Sequence, residues 1–246
     1  MANTVIIDCF PESIKQYRNE YAVVAVDVIR ATTTAVTAAA KGHRCFPVPS
    51  IEAALPLAAR LTHPLLVGEL GGNMPYGFDM TNSPAELAQR TDTLAPIILL
   101  SSSGTKLMYD AQQGAAAYTA CFRNYGALGY YLGERFPHVA VIGAGTRGEF
   151  REEDQMCCAW IAEMLLDAGY IAENSFTVEL VKRWRGAAPD ACLPSKSVTY
   201  LRETGQLKDL AFILDHINDL NAVFRIQYDE VTMVPMGTNV LKAWPA

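Results

Sequence analysis

Histidine is scarce in this chain. His43, His63, His138 and His216 are the only four, and no two stand at a helical metal-ligand spacing such as H-E-x-x-H, so each reads as a surface or capping residue. A metal, if one is used, must be held by oxygen, which points towards magnesium. The six cysteines contain no C-x-x-C pair. Adjacent Cys157 and Cys158 fall in a helical stretch where thiols act as small core residues, so neither disulfides nor a structural zinc is expected. Positive charge is also short, with 20 Lys and Arg against 26 Asp and Glu and a formal net charge of −6. That balance argues against nucleic acid or an anionic membrane as partner, since both need a positive field. No apolar run is long enough for a membrane span, and "MANTVIIDCF" enters a strand pattern without a basic leader, so a cytoplasmic protein with no membrane partner is expected. The frame G-x-x-x-x-G-K-[ST] is absent, which removes support for a nucleotide triphosphate site.

What the chain has is a rhythm of apolar runs and helical patterns, with 50% hydrophobic residues. Strand-like runs occupy 4–8, 21–29, 44–48, 64–69, 95–102, 115–122, 138–145, 176–180 and 230–236. Helical patterns lie at 32–42, 50–61, 83–90, 104–114, 125–136 and 152–169. Alternation of this kind predicts a three-layer α/β/α fold with a largely parallel or mixed sheet, in which ligands meet the carboxyl ends of strands. The 246 residues are read as one functional unit, with a soft break near 125–137 that would divide them into lobes 1–125 and 126–246.

Several strand ends carry polar residues that an interior strand does not need. In "AVVAVDVIRATTTAV", Thr32, Thr33 and Thr34 stand where a helix should start. A helix amino terminus with hydroxyls and Arg30 offers a cradle for phosphate or sulfonate, and Asp27 could hold a cation or attack phosphorus. The structural alternative is a threonine cap with an Asp27–Arg30 ion pair. "IILLSSSGTKLMYDA" repeats the grammar with Ser103, Gly104 and Thr105, where a serine-rich helix cap is the alternative.

In "GELGGNMPYGFDMTNSPAEL", Ser83, Pro84 and Glu86 form a capping box. Ahead of it, Glu69 and Asp79 can bring two carboxylates to one end of the sheet. "VAVIGAGTRGEFREED" holds a literal G-x-G-x-x-G in Gly143, Gly145 and Gly148. However, Glu149, Glu152, Glu153 and Asp154 crowd the place where a pyrophosphate would dock, so a glycine turn presenting Asp154 to a cation is the preferred reading, and a nucleotide-dependent oxidoreductase is the rival. In "TACFRNYGAL", Arg123 and Asn124 follow a strand, and an asparagine cap explains Asn124 almost as well. "VKRWRG" is a basic turn that reads as a solvated edge, or as a lid for an anionic substrate.

Taken in order, "VDVIRATTT", "GE…GFDMTNSPAE", "SSSGT", "FRN", "AGTRGEFREED" and "SVTYLRETGQLKDL" resemble the 2-phosphosulfolactate phosphatases of coenzyme M biosynthesis. The resemblance implies magnesium-dependent hydrolysis of a phosphate monoester on a three-carbon acid bearing a sulfonate. It implies catalytic roles for Asp27, Arg30, Glu69 and Asp79, and a metal set drawn from Asp27, Glu69, Asp79 and Asp154. Substrate contacts are expected from Thr32 to Thr34, Asn82, Ser83, Ser103, Gly104, Thr105, Arg123 and Asn124. Three positions depart from the family pattern: Leu70 where an arginine is common, Ser102 and Ser103 in place of a threonine-asparagine pair, and Thr81 in place of glycine. An arginine is not replaceable without consequence at a doubly anionic site, so the substrate is open, and a non-catalytic anion-binding relative is a further alternative. A small anionic substrate is the expected partner, and a homodimer is the quaternary state to test for.

Overall fold

Short valine- and isoleucine-rich runs such as 22–26 and 97–100 form interior strands buried on every residue, and they set the frame of the molecule. The computed structural model describes residues 2–236. Its first half comprises β1 (Thr4–Cys9), β2 (Ala22–Val26), α1 (Ala31–Ala40), β3 (Cys45–Val48), α2 (Ile51–Ala58), β4 (Leu65–Gly68), α3 (Pro84–Gln89), β5 (Ile97–Leu100), α4 (Gly104–Ala111) and β6 (Ala116–Ala120). There follow α5 (Tyr125–Gly133), β7 (His138–Gly143), α6 (Glu152–Asp167), β8 (Ile171–Ala172), α7 (Ser175–Trp184), α8 (Lys196–Glu203), α9 (Leu207–Asp215), β9 (Ala222–Gln227) and β10 (Glu230–Pro235).

The strands form one mixed sheet in the order β4-β5-β3-β10-β9-β6-β2-β7-β1-β8. Both faces are covered, as the pleat of β2 shows: Val24 and Val26 join a core with Tyr118, Val141 and Trp160, whereas Val23 and Ala25 join another with Ala35, Leu107 and Ile142. This is the expected α/β/α layering.

Two parallel blocks, β4-β5-β3 and β6-β2-β7-β1-β8, are joined by the antiparallel hairpin β9–β10, which pairs antiparallel with β6 on one side and β3 on the other. The blocks therefore run in formally opposite directions. The residues that follow β2 and β7 in one block and β4 and β5 in the other nonetheless line a common cavity.

Two expectations about elements are corrected. The run 176–180 is helix, because Asn174 caps it by accepting the Thr177 N–H at 2.8 Å and because Thr177, Leu180, Val181 and Trp184 bury one helical face. Strand β9 and helices α8 and α9 were not anticipated as elements, although β9 (AVFRIQ) is buried at its first three positions in the middle of the sheet. No helix among the described residues is long and apolar enough to cross a membrane.

Candidate active site

The β2–α1 turn is built around Asp27. Its Oδ1 accepts the Ala31 N–H at 3.2 Å, and Thr32 Oγ1 accepts the Asp27 N–H at 3.0 Å while donating to the Asp27 carbonyl at 2.7 Å. Across from it, α4 begins at Gly104, where a Cβ would lie 2.1 Å from Asp27 Oδ2. Only glycine lets the β5–α4 turn approach this closely. The two turns open into a cavity of about 660 Å³ whose walls include Asp27, Arg30, Glu69, Asn82, Ser102 and Ser103.

Glu69 is positioned by the strand beside it. Its Oε1 accepts the Ser102 N–H at 2.8 Å, and its Oε2 accepts the Gly72 N–H at 2.7 Å and the Ser102 hydroxyl at 3.0 Å. Asn82 is buried, with its Oδ1 lacking a hydrogen-bond partner among the described residues. Ser103 precedes α4 without its side chain capping the helix. Arg30 reaches the cavity from the other direction, and its Nη1 is held by Asp209 and Gln206.

Acidic groups are concentrated behind this wall. Asp154, in the first turn of α6, accepts the Val28 N–H at 2.8 Å. Burial pushes Asp27 up to about 7; the charges of Glu69 and Glu153 add to the shift, while the Ala31 N–H and Arg30 oppose it. Asp154 is pushed well above the ordinary carboxylate range, first by burial and then by Asp27 and Glu153. Burial raises Glu153 as well, and its Oε2 has no hydrogen-bond partner among the described residues. Three neighbouring buried acids favour either protonation or a cation.

Other expected site residues are placed elsewhere. The hydroxyls of Thr32, Thr33 and Thr34 donate to the carbonyls of Asp27, Val28 and Arg30, so they close their own turn and do not line the cavity. Ser83 donates to Asp209 at 2.6 Å and caps α3. Thr105 is buried in reciprocal bonds with Ser101. Arg123 pairs with Asp219 through two N–H groups and donates to Thr37, while Asn124 accepts the Cys121 N–H and donates to the Thr119 carbonyl. Asp79 is exposed and accepts the Leu66 N–H at 2.8 Å, away from the cavity. Accordingly, of the four expected metal ligands only Asp27 and Glu69 line the cavity, and no ready-made cluster of three or more His, Cys, Asp or Glu ligands exists among the described residues.

The glycine pattern after β7 serves packing. A Cβ at Gly143 would fall 2.1 Å from the Phe150 ring, and one at Gly145 would fall 2.5 Å from the Phe10 ring. Helix α6 starts only at Glu152, with Glu152, Glu153 and Asp154 in its first turn, a poor setting for pyrophosphate.

A sequence profile of the 2-phosphosulpholactate phosphatase family matches residues 8–228. The chain belongs to that family. Among curated members it is 36% identical over 162 residues to a probable 2-phosphosulfolactate phosphatase of Carboxydothermus hydrogenoformans, covering 64% of this chain and 66% of the relative. It is 30% identical over 194 residues to another so named in Gloeobacter violaceus, covering 77% and 81%. The first of these matches spans just under two thirds of that relative's length. The family's name is that of a phosphoric monoester hydrolase.

The cavity residues that escaped the sequence reading include four with long polar side chains: Arg147 and Arg151, between β7 and α6, and Lys196 and Tyr200, on α8. The motif strings "AGTRGEFREED" and "SVTYLRETGQLKDL" contained three of the four, but nothing in their spacing marked which side chain faces inward.

Proposed function

We propose that this protein hydrolyses the phosphate monoester of a small organic acid, taking 2-phospho-3-sulfolactate to 3-sulfolactate and phosphate with magnesium. The observation that carries the reading is the convergence of Asp27 and Glu69 with Arg30, Ser103 and the start of α4 in one cavity of about 660 Å³. The names of the curated relatives support the same substrate.

Asp27 and Glu69 fit magnesium. Both are hard oxygen donors, Asp27 Oδ2 makes no hydrogen bond to the described residues, and magnesium commonly takes one or two carboxylates and completes its shell with water and substrate phosphate. When bound, it would polarise the phosphoryl group. The Thr105 N–H is already held by Ser101, so the remaining N–H groups at the start of α4 and the Ser103 hydroxyl would meet the phosphoryl oxygens, and the free edge of Arg30 would stabilise charge that develops on them. Asp209, behind Arg30, fixes the guanidinium so that it is already oriented when substrate arrives. Asp154 holds the turn that carries Asp27 through the Val28 N–H.

The test is phosphate release from 2-phosphosulfolactate, phospholactate and an aryl phosphate, with magnesium and with chelator, for the wild type and Asp27→Asn. Release from the sulfonated substrate should require magnesium and fall at least about 100-fold in the variant. An unchanged rate in Asp27→Asn would remove Asp27 from the chemistry, and no release with any substrate or divalent metal would overturn the assignment.

A further inference from the structure

The segment between β7 and α6 carries charges that this reaction leaves unused. Glu149 holds two cations at once: Arg151 from its own segment, and Lys196 from the start of α8. Arg147 lines the same cavity and pairs with no described residue. Arg151 is only 8% exposed; its Nη1 meets Glu149 and its Nη2 meets the Thr146 carbonyl, while its Nε is buried with no acceptor among the described residues. A guanidinium N–H removed from water without a partner is unfavourable, so an acceptor that reaches it is strongly preferred.

Glu149 is differently placed. Its side chain is 45% exposed, as is much of Lys196, and ion pairs at such exposure are weak. Another anion can take its cations while Glu149 turns into water. The wall holding these cations belongs to the same cavity as Asp27 and Glu69, so a molecule whose phosphate lies against Asp27 can extend a second acidic group towards them.

We infer that Arg147, Arg151 and Lys196 form a second anion subsite for the sulfonate of the substrate, with Glu149 as a resident counterion that the sulfonate displaces. The identity of the substrate rests on the phosphatase reading; the subsite itself does not. A sulfonate stays ionised at every pH at which the enzyme would work, and its three oxygens can meet a forked guanidinium and an ammonium together. Selectivity then arises by difference, because a substrate lacking the second acid leaves Glu149 in place and gains nothing from the three cations.

The test is calorimetric titration of 3-sulfolactate and of lactate, in magnesium buffer, into the wild type, Arg147→Met, Lys196→Met and Glu149→Gln. The wild type should bind sulfolactate at least about tenfold more tightly than lactate. Lys196→Met and Arg147→Met should each reduce that preference several-fold, and Glu149→Gln should tighten sulfolactate because its competitor is gone. Lack of measurable sulfolactate binding, a preference that survives both cation substitutions, or weaker binding in Glu149→Gln would each overturn the inference. The same proteins assayed for phosphate release separate the two readings. Selective binding without turnover would keep the subsite and sink the phosphatase, and turnover without selective binding would do the reverse.

Discussion

Asp27 is a carboxyl buried among other acids, and its protonation is tied to folding. Its folded value of about 7 lies above the unfolded value of about 4, so it contributes stability that is complete below about pH 4 and is lost as pH rises towards 7. In metal-free urea unfolding, the wild type should lose ground to Asp27→Asn across that window; a constant gap between them would refute the shift. Gly104 provides a second check on the same contact. Gly104→Ala puts a methyl group within 2.1 Å of Asp27 Oδ2, which should cost about 1–3 kcal/mol in unfolding experiments and suppress phosphate release well beyond that loss of stability. At this scale the sequence was partly legible. Asp27, Arg30, Glu69, Asn82 and Ser103 were named from strand-end polarity and motif, and all line the cavity. The three threonines were ambiguous because a hydroxyl that closes its own helix turn has the same sequence signature as one that meets a ligand. Lys196 was hidden for another reason: its place in the cavity depends on a long-range fold of the chain.

Asp209 shows how elements far apart in sequence fix one another. Its carboxylate receives Arg30 from the start of α1, together with the Ser83 hydroxyl and the Ala85 N–H from α3. Removing it leaves a buried guanidinium without its counter-charge. Asp209→Ala should therefore destabilise by about 3–5 kcal/mol in denaturant unfolding, far more than loss of a surface pair; a change below about 1 kcal/mol would mean that Arg30 finds another anion. Elements were read from sequence where a short aliphatic run was bounded by turn residues, as in β2 and β5, because four or five apolar residues in such a frame suit a strand better than a longer helix. The segment 176–180 misled because five residues alternating in polarity fit either period, and only the longer face from Thr177 to Trp184, with its Asn174 cap, decides for helix.

Across the whole molecule, burial makes the sulfur chemistry inert. Cys45, Cys121, Cys157, Cys158 and Cys192 are buried, and burial raises all their thiols, Cys121 to about 11 and Cys45 and Cys192 to about 12. A colorimetric thiol reagent at pH 8 should therefore react promptly with no more than Cys9 in the native protein and with all six cysteines in urea. Several fast native thiols would show that the core opens readily. The layer architecture could be foreseen from alternation, but the mixed sheet order could not, because which strands become neighbours is decided by packing across the whole chain. That order also constrains biosynthesis. Among the described residues the β9–β10 hairpin is the last part of the sheet to be made, yet it lies between β3 and β6, so until the ribosome has delivered residues 222–235 both neighbours present unpaired edges. The nascent chain must wait with its sheet split in two, which makes folding slow and dependent on non-local contacts, and makes chaperone protection most valuable until that hairpin has been made.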